Sequence, residues 1–159
     1  MPQHRSLAEY RSAESLRNKG TEQSAQGDFT LAFKSYTEAL SLYKETINIR
    51  VEDNQKIQTA VQGYARALET KNISGSNYII SSYKKELESE WKPFFNVAQD
   101  IKITLSTHEI EFSNTTASVL ADALLQYRGA GGSGNKNVWK FELVKTGSDW
   151  IISKISEAN

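Results

Sequence analysis

Two histidines, one strand-borne aspartate, one arginine at a strand end and a group of aromatic residues are the side chains of this sequence that could do chemistry. His4 lies next to the chain end, where backbones fray, and His108-Glu109 reads as a hairpin between strands, where a solvated polar role is expected. The sequence has no Cys, so it offers no thiol nucleophile, disulfide framework or Cys-ligated zinc, and two histidines are too few to hold a metal. Asp122 falls in the alternating run from Val119 to Tyr127. It faces either solvent, opposite the Val119, Ala121 and Ala123 stripe, or a pocket if the faces are reversed. Arg128 is either a surface cation or a partner for an anionic ligand. Trp91, Phe94, Phe95, Tyr127, Trp139 and Phe141 either pack the core or line a cavity, because aromatic rings on a sheet do both. No acid–base constellation emerges, and the expectation is a non-enzymatic chain without a cofactor.

Composition narrows the partners. Lys plus Arg and Asp plus Glu are 19 each, for a formal net charge of zero. No whole-chain field therefore concentrates phosphate, and nucleic acid is not expected as a partner. Hydrophobic residues at 38% and charged residues at 24% lie in the globular range rather than the disordered one. The first thirty residues hold no apolar run like a signal-peptide core, and no stretch approaches the roughly 20 apolar residues needed to cross a bilayer. Membrane insertion is not expected, and the compartment, which composition does not decide, is expected to be cytoplasmic.

The elements that must position these side chains fall into a helical half and a stranded half. From Leu7 to about Leu68 helix formers dominate, and Gly27-Asp28 is the clearest break: Gly ends one helix and Asp28 caps the next. The second helix carries Phe33, Tyr36, Leu40, Tyr43 and Ile47 on one stripe, a face expected to be buried. The same register resumes at Ile57, Val61, Tyr64 and Leu68. This favours one helix from about Thr30 to Glu69, about 60 Å long, over two helices separated at Glu52-Asp53-Asn54, where caps are available. A turn-rich stretch from Lys71 to Asn77 precedes a short helix, about Tyr78 to Glu90, and then an aromatic turn from Trp91 to Phe95. Beyond Pro93 the period becomes two, at Ile101-Ile103-Leu105, Val119 to Tyr127, Trp139-Phe141-Leu143 and Trp150 to Ile155. Turns are expected at Asn114-Thr115 and Thr146 to Asp149. The Gly-rich run Gly129 to Asn137 reads as a mobile hairpin tip. Strands in succession with short connections make an antiparallel meander.

The segment from about Ala13 to Thr46 resembles a tetratricopeptide repeat at Leu16, Gly20, Gly27-Asp28-Phe29, Ala32, Tyr36 and Ala39-Leu40, with Lys44 in place of the usual terminal proline. Microtubule-interacting-and-transport hairpins share much of this spacing. Arrays of such repeats need about three or more to bury their faces. A lone one must be covered by the rest of the chain, by a second copy, or by repeats upstream in a longer protein.

Residues from about Ile57 to Ile155 resemble the nuclear transport factor 2-like superfamily. The resemblance rests on Val61-x-x-Tyr64-x-x-Ala67-Leu68-x-x-Lys71-Asn72, the Trp91 to Phe95 stretch, Thr116-Ala117-Ser118-Val119, and Phe141-x-Leu143-x-Lys145-x-Gly147-x-x-Trp150-x-Ile152. It implies an α+β fold in which the helical hairpin leads through a long helix into a cone-shaped domain with a curved antiparallel sheet, with residues 5–50 as hairpin and 51–159 as cone. It also implies a set of possible roles: isomerase-like and dehydratase-like enzymes, association domains, and pocket-bearing binding domains. Tyr64 resembles the oxyanion-stabilising tyrosine of the isomerases, but the partner acid falls at Phe141 and the base-bearing turn is Trp91-Lys92-Pro93-Phe94-Phe95, so neither acid is in place.

The leading expectation is therefore a non-enzymatic protein-interaction or assembly module, with a dimer as one form of assembly and Phe33, Tyr36 and Tyr43 as partner-binding residues. The alternative is a small-molecule pocket formed by Tyr64, Trp91, Phe95, Asp122, Tyr127 and Trp139. A lyase or isomerase comes third.

Overall fold

The structure, a computed structural model, describes residues 8–129, 131–132 and 134–158. His4, and the Ala130 and Ser133 positions of the Gly-rich run, lie outside the described residues. The chain divides into two compact units, Met1–Asp53 and Asn54–Asn159.

In the first unit α1 (Ala8–Ala25) meets the start of α2 (Phe29–Glu69) at the Gly27-Asp28 turn. Gly27 has φ +81°, a left-handed conformation that glycine adopts without strain. Its N–H donates to Ser24 O and that of Asp28 to Gln23 O, at 3.0 and 2.9 Å. Together the two bonds satisfy carbonyls left open at the end of α1. The Asp28 carboxylate accepts from Leu31 N–H at 3.3 Å, which starts α2 as expected. The two helices approach through small residues: Ala13 and Gly20 on α1, and Ala32, Ser35 and Ala39 on α2, are buried. A methyl group added at Gly20 would come within 2.9 Å of the Tyr36 ring, so this glycine makes room for the tyrosine.

Burial in this unit departs from the expected pattern. The large stripe is present but uncovered, with Phe33 74%, Leu40 54% and Ile47 58% exposed, and Tyr36 at 40%. Close backbone approach favours the small residues one position away on the helix, so the aromatic row is left outside. Tyr43 is half-buried, with its hydroxyl donating to Glu14 and its ring 5.7 Å from that of Tyr10. Burial, followed by that carboxylate contact, pushes the Tyr43 pKa up to about 12.

Helix α2 shows no break at Glu52-Asp53-Asn54 and remains helical to Glu69. In the second unit its last turns bury Ile57, Ala60, Val61, Tyr64, Ala65 and Leu68, the in-phase register read from the sequence. Helix α3 spans Ser81–Val97 with Pro93 inside it, so the segment from Trp91 to Phe95 is helix and not a turn. A proline removes one intrahelical donor. Here the last turn is held from outside, because Lys71 Nζ donates to Phe95 O at 2.6 Å and to Ala98 O at 2.7 Å. A cation at a helix C-terminus also suits the helix dipole.

Four strands follow: β1 (Ala98–Phe112), β2 (Thr116–Gly129), β3 (Gly134–Thr146) and β4 (Asp149–Glu157). They form one antiparallel sheet in the order β1-β2-β3-β4. The expected turns at Asn114-Thr115 and Gly147-Ser148 are present; Gly147 has φ +64°, as a two-residue hairpin turn with glycine at its first central position requires. Two expectations are corrected. His108 does not sit in a hairpin but inside β1, at a register shift between Thr107 and Glu109, where a bulge absorbs one residue. Asn135, Lys136 and Asn137 belong to β3, paired with Leu125, Leu124 and Ala123, because the β2–β3 ladder continues towards Gly129 once the sheet sets its register. The buried face carries Ile103, Leu105, Val119, Ala121, Ala123, Trp139, Phe141, Leu143, Trp150 and Ile152. The three-helix and four-strand order, with the last turns of α2 and α3 packed on one face of a curved sheet, is an α+β fold.

Candidate functional site

Alternation along β2 and β3 sends Leu125, Tyr127, Asn137 and Trp139 to the helix-covered face, and a helical period on α3 brings Tyr83, Leu87, Trp91 and Phe94 to meet them. Between them lies a cavity of about 360 Å³, within the size range of small-molecule sites.

Tyr64, 1% exposed, reaches this cavity from α2. Its ring stands edge-on to Trp139 and Phe141, at 5.9 and 5.7 Å between centroids. Its hydroxyl accepts a hydrogen bond from Trp91 Nε1 at 3.0 Å. Burial pushes the pKa of this hydroxyl well above the ordinary tyrosine value, with the Trp91 hydrogen bond pulling the other way and the nearby Tyr83 and Glu90 charges adding to the rise. It therefore keeps its proton at any physiological pH, and that proton is available to an acceptor on a ligand.

Because the folded-state pKa is raised, the stability contributed by the neutral hydroxyl is fully present below about pH 10. It declines as pH rises through the folded-state value, since the unfolded chain then loses the proton first. Alkaline unfolding curves of the wild type and Tyr64→Phe should converge as pH climbs above about 10; parallel curves would show that Tyr64 ionises as an exposed phenol does.

The other rings complete an aromatic wall. Phe94 meets Tyr127 edge-on at 4.8 Å, and Trp91 lies 6.2 Å from Trp139. Phe95 stacks on Trp91 at 5.9 Å from behind, without lining the cavity. Tyr83 fastens α3 to β4, its hydroxyl donating to Ile155 O and accepting from Ile155 N, both at 3.2 Å.

Of the six residues proposed from sequence to bind a ligand, Tyr64, Trp91, Tyr127 and Trp139 are brought together here and Phe95 supports them. Asp122 is not among them. It lies on the opposite face of β2, exposed, with its carboxylate 3.7 Å from His108 Nδ1. The reading that turned it towards solvent is the correct one of the two. Arg128 pairs with Asp100 at 2.8 Å and donates to Gln99 at 3.2 Å, outside the cavity. Glu90 and Glu157, which sequence reasoning passed over, line the rim. A polar residue next to Trp91 on a helix, and another at the end of the last strand, carry no local sign of a cavity beside them. Among the described residues no group of three or more His, Asp or Glu could hold a metal ion, and no helix is long and apolar enough to cross a membrane.

By sequence, no family model and no curated protein matches the chain. By structure it resembles an NTF-2-like protein of unknown function from Shewanella oneidensis, at TM-score 0.54 and 12% identity over 67% of this chain and 98% of that one. It also resembles two proteins from Novosphingobium aromaticivorans. One is described as a candidate scytalone dehydratase, at TM-score 0.55 and 14% identity over 71% and 92% of the two chains. The other is described as a candidate aromatic ring hydroxylase, at TM-score 0.53 and 17% identity over 68% and 94%. Identities this low carry the fold and not the chemistry. With the last turns of α2 and α3 on one face of a curved four-stranded antiparallel sheet, the second unit has the nuclear transport factor 2-like fold.

Proposed function

We propose that the second unit is a small-molecule-binding domain that holds its ligand without transforming it. The carrying observation is the cavity itself, walled by aromatic rings and floored by the Tyr64 hydroxyl, which accepts from Trp91 and keeps its own proton to donate. Such a site takes a mostly apolar, ring-sized body with one hydrogen-bond acceptor directed at Tyr64. Binding is preferred to turnover because the two carboxylates at the cavity, Glu90 and Glu157, are exposed. A general acid or base working on a carbon acid is instead held in an apolar setting that tunes it. A thermal-shift screen with ring compounds of each charge class tests this: a ligand at a hundred times its dissociation constant should add about 2.7 kcal/mol of stability. Quenching of Trp91 and Trp139 fluorescence should accompany the shift and weaken in Tyr64→Phe. A cavity that no class of ring compound stabilises or quenches would overturn the reading.

A second reading concerns the first unit, where Phe33, Leu40 and Ile47 lie exposed on one stripe of α2 with Tyr36 between them. Spacing of three and four residues is that of a helix seam that takes another helix, and this favours self-association through the hairpin. The tetratricopeptide-like character of the hairpin belongs to this reading. Phe33→Glu should then shift sedimentation equilibrium towards monomer by at least about tenfold in dissociation constant. A wild type that stays monomeric at high concentration would reject self-association. Tyr43 is already engaged with Glu14, so Phe33 is the more direct probe of the three residues proposed from sequence.

A further inference from the structure

The charges around the cavity are of one sign. Glu90 on α3 and Glu157 on β4 both line it, and among the described residues no Lys, Arg or His does. The chain as a whole is neutral, so this local sign is not a reflection of bulk composition. Two of the nearby cations are turned elsewhere. Arg128 is held by Asp100 and Gln99. Lys136, although flanked by the lining residues Asn135 and Asn137, lies with Asp122 in a depression on the other face of the sheet.

The two carboxylates are placed to act on the cavity. Asn137 Nδ2 donates to Glu157 Oε1 at 3.2 Å, which steadies that carboxylate at the rim. The Glu90 charge is felt at the hydroxyls of both Tyr64 and Tyr83. Below the rim stand the rings of Trp91, Phe94, Tyr127 and Trp139, whose faces carry the negative end of the aromatic quadrupole and attract cations. Carboxylates and ring faces thus favour the same kind of guest. An anion entering this cavity would meet two like charges and no counter-charge.

Resting on the binding reading above, we infer that the ligand is an organic cation, an ammonium group on an apolar or aromatic body, with its charge near Glu90 and Glu157 and its body among the rings of Trp91, Phe94 and Tyr127. A methylated ammonium tests this charge preference cleanly, because it carries the positive charge without N–H donors of its own.

Three phenyl probes of different charge test this on the full chain: phenyltrimethylammonium, its neutral isostere tert-butylbenzene, and benzoate, each titrated against tryptophan fluorescence. The ammonium should bind at least about tenfold tighter than the neutral isostere, although the neutral compound is the more hydrophobic. In the double variant Glu90→Gln/Glu157→Gln, both exposed positions, that preference should fall to near parity while affinity for tert-butylbenzene stays the same. Added salt should weaken binding of the ammonium alone. If tert-butylbenzene binds as tightly as the ammonium, or benzoate binds tightest, the cation inference is overturned while the pocket reading stands. If none of the three binds, the cation inference is overturned, and the pocket reading falls with it only when no acceptor-bearing ring compound stabilises or quenches the chain either.

Discussion

Phe141→Ala should lower the stability of the sheet unit by about 3–5 kcal/mol. Phe141 is fully buried, its ring 5.7 Å from Tyr64 and 6.3 Å from Trp139. On β3 it sits between Val119 of β2 and Ile155 of β4. Truncation removes the ring from a place that neighbours on both strands and on α2 have closed around, so the loss combines transfer free energy with an unfilled cavity. Phe141→Leu keeps most of the volume and should cost less than about 1.5 kcal/mol. Urea unfolding should show the midpoint falling with little change in slope. A Phe141→Ala cost below about 1 kcal/mol would mean that the helices are not seated on the sheet as described.

The second large effect turns on sign. Gly63 lies inside α2, where Gly→Ala ordinarily stabilises a helix by about 1 kcal/mol. Here a Cβ would stand 2.1 Å from Tyr78 Cδ2 and 2.8 Å from Tyr78 Cγ. The base of that ring cannot yield easily, because Tyr78 O accepts from Ile152 N–H at 2.7 Å and Ile79 bridges to Ile152 beside it. Overpacking should therefore win, and Gly63→Ala should destabilise by about 1–3 kcal/mol. The double variant Gly63→Ala/Tyr78→Ala isolates the cause. With the ring gone, alanine at 63 should become favourable by about 1 kcal/mol relative to glycine. If the single variant is itself stabilising, Tyr78 has a second seat at no cost and the contact does not specify the fold.

Both predictions concern the packing that holds the cavity open. Phe141 supports Tyr64 from the sheet side, and Gly63 is its neighbour on α2. Losses of ligand affinity in either variant should thus scale with losses of stability. Changes at Glu90 and Glu157 should alter affinity and leave stability nearly untouched, since exposed side chains away from the core contribute little.

Much of the fold could be read from the amino-acid order alone. The Gly27-Asp28 turn, the unbroken register from Ile57 to Leu68 and the period-two runs of the four strands are local properties: each rests on residues within a few positions of one another, where propensity and periodicity act directly. That Tyr64, Trp91, Tyr127 and Trp139 come together at one cavity follows in part from the same local properties, since they are aromatic side chains on elements of known period. What the tertiary structure decided was which faces are covered. Pro93 reads as a helix stop, yet α3 continues to Val97, and Lys71, distant in sequence, donates to Phe95 O in its last turn and to Ala98 O just beyond it. The Phe33 stripe reads as a buried face, yet the small residues beside it make the close approach and leave it outside. Asp122 turned outward, and Glu90 and Glu157 came to the rim. Whether a polar side chain meets bulk water or a cavity depends on chain segments far from it, so the sequence alone determined the elements and their alternation, and only packing decided where the site lies and what charge surrounds it.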